Sequence, residues 1–191
     1  MRTLFTALTL LAVMARTSRA QAAPMSRADA LAQAGMFIEG PGSQSQKALA
    51  RILADSGALQ LYDDLLNGRQ SWVVGVDSAT ILRYLALSEN PRFLPTFLRF
   101  ADPSLPIQKH DVFVFASVGL TRLAALPAAR ERLLALGQPS VRPKYREAVV
   151  QVLTFRNSVA ARDVLRSMTM DDLPPAIRQR AATALAAPAA P

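Results

Sequence analysis

Histidine and cysteine most readily make nucleophiles, bases and metal centres, and this sequence carries one of the first and none of the second. Without cysteine there is no thiol nucleophile, thiolate metal site, disulfide or lipid-modified N-terminal Cys. One imidazole cannot build a multi-histidine metal centre. His110 is followed by Asp111, the only pairing that resembles an acid–base unit. Adjacent helix residues project about 100° apart, so Asp111 does not easily orient its neighbour's ring. The pair reads instead as an exposed helix start with Asp111 as the cap. A serine nucleophile needs a sharp elbow, and G-x-S-x-G is absent. Two carboxylate pairs remain: Asp63-Asp64, expected mid-helix on a solvated face, and Asp171-Asp172, a helix-start signal before Pro174. No glycine-rich phosphate loop, zinc spacing or EF-hand loop occurs. The expectation is a non-enzyme without cofactor or metal site. A metal-assisted enzyme with carboxylate ligands stays open as an alternative, because acids scattered in sequence can meet in space.

Trp72, Tyr62 and Tyr84 can form a platform for a carbohydrate or peptide; the plainer expectation is that Trp72 anchors packing. The formal charge is +8, but Arg2, Arg16 and Arg19 fall in the first 22 residues, which hold no acid. Without them the excess is five, which permits an acidic partner without demanding one.

Residues 1–22 read as a secretory signal. Arg2 supplies the positive start, Leu4 to Ala15 a mostly apolar stretch, and Ala20-Gln21-Ala22 the small residues of a cleavage site. A bilayer span needs about 20 apolar residues, more than this stretch offers. The expectation is export to a bacterial periplasm or beyond, with a mature chain from near Ala23. A later start, at Met14 or Met25, is the alternative. A half-apolar chain exported without cysteine gains its stability from packing alone.

Helical periodicity dominates the rest. Ser26 with Asp29 resembles a capping box, opening a helix that should stop by Gly40-Pro41-Gly42. Further helices are expected at about 44–54, 58–66, 78–88, 92–101, 111–125, 128–136, 143–155, 159–169 and 175–187. Asn67-Gly68 should end one of them in the left-handed conformation. Pro91, Pro127, Pro143 and Pro175 suit first turns; Asp77, Asp111 and Ser158 suit N-caps. Gln70 to Val76 reads as an extended connector pinned by Trp72.

The helices repeat. Tyr145-Arg146, Val149-Val150 and Val152-Leu153 fall 32 residues before Ile177-Arg178, Ala181-Ala182 and Ala184-Leu185. Ile81-Leu82 and Tyr84-Leu85 hold the same places about two periods earlier. The copy at Phe115 to Leu123 slips register, because Arg122 stands where the others are apolar. Phe97-Leu98, Leu133-Leu134 and Val164-Leu165 match as second helices. Two helices every 30–38 residues is the signature of an α-solenoid. Ile177-Arg178-x-x-Ala181-Ala182-x-Ala184-Leu185 resembles the first helix of a HEAT or HEAT-like repeat, with Arg146 in the matching place one repeat earlier. The resemblance covers 77–187 and, more weakly, 44–76. Ser78 replaces the Arg of the first copy.

Small Ala181, Ala182 and Ala184 would let helices approach closely, and Phe93, Phe97 and Phe100 would fill wider gaps. Burying one such ring contributes about 2–3 kcal/mol.

The expected fold is all-α: a right-handed solenoid of stacked antiparallel helix pairs over 77–187, N-terminal helices at 23–76 as cap or degenerate repeat, and a tail at 188–191. The resemblance implies that second helices line a concave face. There Arg99 and Arg166 hold equivalent positions, with Arg130, Arg132 and Arg162 nearby. Arg162 and Arg166 are a like-charge pair one turn apart, mildly unfavourable in isolation, which points to an acidic partner. The expected function is an exported protein-binding scaffold or accessory subunit. A nucleic-acid-binding HEAT-like protein is the alternative, and export argues against it.

Overall fold

The computed structural model describes residues 24–35, 43–104 and 110–188. The expected secretory signal, the expected helix stop at Gly40-Pro41-Gly42 and the last three residues lie outside them. The described helices are α1 (Arg27–Gly35), α2 (Ser43–Ala54), α3 (Ser56–Leu66), α4 (Ser78–Leu87), α5 (Leu94–Phe100), α6 (His110–Arg122), α7 (Pro127–Leu136), α8 (Pro143–Arg156), α9 (Val159–Arg166) and α10 (Pro175–Ala186). A single 3-10 turn, Pro91–Phe93, leads into α5. Among the described residues there is no strand, and the fold class is all-α. None of these helices is long and apolar enough to cross a membrane.

Local chemistry sets the helix starts. The Ser26 hydroxyl accepts from the Asp29 amide at 3.1 Å, Asp55 from the Gly57 and Ala58 amides, Asp77 from Thr80 and Ser158 from Ala161. Each satisfies an amide that the first turn leaves without a partner. Pro91, Pro127, Pro143 and Pro175 all occupy first turns. One expectation needs correction. Asp111 lies inside the first turn of α6 rather than at its cap, because the helix begins at His110. Asn67-Gly68 ends α3 as expected: Asn67 is the C-cap at φ −93°, and Gly68 takes the left-handed conformation at φ +70°. The Asn67 amide then turns back to donate to the Asp63 carbonyl and to Thr96.

Packing follows alternate helices. α4 lies against α6, α6 against α8, and α8 against α10; α5 meets α7, and α7 meets α9. Across these two rows, α5 packs on α6, α7 on α6 and α8, and α9 on α8 and α10. α1, α2 and α3 all contact α4, and one core cluster runs without a break from Ala30 to Ala181. The N-terminal helices therefore share the core of the rest. Tyr62 and Tyr84 tie them in. Their rings stack at 5.8 Å, and their hydroxyls donate to the carbonyls of Ala30 (2.8 Å) and Gln33 (3.3 Å) in α1.

The apolar stripes are buried at Ile81, Leu82 and Leu85 in α4 and at Val149, Val150 and Leu153 in α8. In α6 the buried set is Val112, Phe113, Ala116, Ser117, Gly119, Leu120 and Thr121, and Arg122 lies at its edge. That placement accounts for the loose second copy. Phe93 and Phe97 are buried as expected, whereas Phe100 is only partly so. Of Ala181, Ala182 and Ala184 in α10, only Ala181 is buried. The 70–76 connector is irregular, and Trp72 is 48% exposed, so it does not pin it.

Candidate functional site

The side chains that the sequence singles out do not converge. Tyr62 and Tyr84 are buried and Trp72 is exposed, so they form no common platform. Asp63 is not on a solvated face: it is buried, accepts from the Thr96 hydroxyl and pairs with Arg69, which also holds Asp64. The Arg69 guanidinium keeps the Asp64 carboxyl below its ordinary range. Asp172 is no helix-start signal either, since α10 begins after Pro174. It pairs with Arg146. His110 and Asp111 are both exposed at the start of α6. Among the described residues no three His, Asp or Glu side chains gather into a metal-binding group.

The arginines of the second helices divide. Arg99 is exposed, reaches Asn67 at 3.3 Å and lies over the Phe100 ring. Arg166 is exposed and paired with Asp163 at 2.8 Å. Arg130 and Arg132 are half-buried. Arg162 is 7% exposed, and its Nη2 donates to the Leu185 carbonyl at the end of α10. It therefore presents no cation beside Arg166. The expected like-charge pair is split, one member spent on packing α9 against α10.

The large concavity lies on the other row. A groove of about 910 Å³ crosses α4, α6, α8 and α10. Phe115, Val118, Val152 and Phe155 give it an apolar surface, and Phe155 is 94% exposed. Four arginines border it, Arg83 from α4, Arg122 from α6, Arg156 from α8 and Arg180 from α10, and no acid lines it. Burial elsewhere explains this composition. Each of these helices gives one side to its neighbours and one to the second row, so the third side keeps whatever the core rejects: the long cations and the off-register aromatics.

Glu89, just beyond α4, supplies the local counter-charge. Its Oε1 accepts from Arg122 and, at 3.1 Å, from Arg156. This joins the ends of three helices at the border of the groove. The sequence carries a faint signal of this: Arg122 breaks the apolar repeat, and Phe155 stands two positions beyond the last apolar pair of its helix, Val152-Leu153. Neither residue could be assigned a side without knowing which face the next helix covers. No protein-family model, curated protein or solved structure matches the chain.

Proposed function

We infer that the chain is an exported protein-binding module, a scaffold or accessory subunit, and that its binding surface is the groove across α4, α6, α8 and α10. The alternation of contacts between two rows supports reading the fold as a HEAT-like α-solenoid of right-handed, antiparallel helix pairs. Residues 1–22 support the export. The observation that carries the function is Phe155: a phenylalanine 94% exposed within a groove of about 910 Å³. Soluble proteins leave such apolar surface open chiefly where something binds.

On this reading the interface lies on the first-helix row rather than on the row that bears Arg99 and Arg166. The test is photo-crosslinking from a benzoylphenylalanine placed at position 151, where Gln151 is exposed in the lining of the groove, in cells of the source organism. A defined protein partner is expected, lost in Phe155→Ser and kept in the double variant R99E/R166E. Loss in R99E/R166E with retention in Phe155→Ser would move the interface to the second helices. Crosslinks to nucleic acid alone would overturn the protein-binding reading.

A further inference from the structure

α6 and α8 each end with a consecutive pair at the groove: Thr121-Arg122 and Arg156-Asn157. Each pair joins a guanidinium to a buried polar atom without a partner. Thr121 is 2% exposed, and its Oγ1 makes no hydrogen bond. The Asn157 Oδ1 makes none either, while its Nδ2 is held by the Pro188 carbonyl at 3.3 Å. Buried polar atoms are nearly always satisfied, by protein or by ordered water, so each of these two atoms in the groove lining has hydrogen-bonding capacity to spare.

The two guanidiniums meet on a single oxygen of Glu89. That residue stands at φ +51°, a left-handed conformation that residues with side chains seldom take. One carboxylate between two arginines leaves the site positive. The groove therefore offers cations for a carboxylate, a hydroxyl at Thr121, an acceptor at Asn157, and exposed aromatic surface beside them.

We propose that the groove takes an extended segment of a partner protein that presents an Asp or Glu side chain to Arg122 and Arg156, in the place where Glu89 lies in this structure. Apolar neighbours in that segment rest on Phe115 and Phe155. A backbone amide of the segment donates to the Asn157 Oδ1, and a carbonyl accepts from the Thr121 hydroxyl. An ionised fatty acid satisfies the arginines but brings no donor for Asn157, which is why the occupant is a peptide. Glu89 is then a built-in competitor that sets the affinity for acidic segments. This proposal rests on the groove being the protein-binding surface.

The experiment is selection of a displayed random peptide library on the purified chain, followed by affinity measurements with the selected peptides, with thermal melts confirming that each variant folds. Enriched peptides should carry Asp or Glu beside Leu or Phe. Arg122→Gln and Arg156→Gln should each weaken them by about tenfold, the scale of a charge pair removed from an interface. Both Glu89→Ala and Glu89→Gln should tighten binding. Enrichment of peptides without acids, or affinity unchanged or weakened in both Glu89 variants, overturns the proposal while leaving the protein-binding reading intact. Laurate binding with the same arginine dependence, and no peptide selected, overturns both.

Discussion

Arg146 is 1% exposed, and every branch of its guanidinium is engaged: Nε donates to the Gly137 carbonyl at 3.2 Å, Nη2 to the Thr169 carbonyl at 2.6 Å, and Nη1 to Asp172. One side chain thus ties α7, α8 and the loop after α9 together. Asp172 is half exposed, so the ion pair itself contributes little. The larger share is packing and the two carbonyls. Arg146→Ala is expected to cost about 3 kcal/mol in urea unfolding, and Arg146→Met roughly half of that, because it keeps the stem and loses only the donors. The same pair gives an acid sensitivity. The Arg146 guanidinium beside Asp172 holds its carboxyl below the ordinary value of 3.8. A carboxyl lowered in the folded state contributes stability that is complete above that value and is lost as the pH falls through its lowered pKa. Asp172→Asn should therefore flatten the fall in the urea midpoint below pH 3.8; an unchanged slope would show that the pair does not matter.

At the scale of elements, close approach decides. A Cβ on Gly119 of α6 would stand 2.5 Å from the Phe97 ring of α5, and that ring is buried with nowhere to turn. Gly119→Ala should destabilise by about 1–3 kcal/mol, the usual cost of overpacking. Gly137 is also tight, but its neighbour is the flexible side chain of Met168, which can yield. Gly137→Ala should cost clearly less, and thermal melts of the two variants side by side settle the difference. Asp77 caps α4 through both the amide and the hydroxyl of Thr80. Asp77→Ala should cost about 1 kcal/mol.

For the molecule as a whole, the helices leave an apolar, cation-bordered groove among the described residues, and the proposed binding and the stability should separate there. Phe155→Ser should leave the melting temperature unchanged or raise it slightly, since the ring buries almost nothing, while removing partner binding. The bordering arginines lie at the surface, where charges are screened over about 8–10 Å at physiological ionic strength. Partner affinity should therefore fall as salt rises, chiefly through the association rate. Salt-independent affinity would remove the arginines from the interface.

Helix starts were legible because a cap, a proline and the first turn it serves lie within four residues of one another. Asp77, Ser158 and the four prolines stand where local chemistry requires them. All-α character was legible for the same reason, since periodicity is a short-range property. The fates of the charged residues were not. Arg146 meets Asp172 26 residues on, Arg162 meets Leu185 23 residues on, and Glu89 meets Arg156 67 residues on. Nothing near Arg162 distinguishes it from Arg166, yet one is buried against α10 and the other is solvated. The groove depends on the same long-range information: α4, α6, α8 and α10 border it together, and each helix gives it a single arginine and a few apolar residues out of register. The sequence by itself determined which segments are helical and where they begin, because those choices are settled between neighbours along the chain. Which charges are buried, and which face stays open, only the tertiary structure decided, because burial is a property of whatever packs on top.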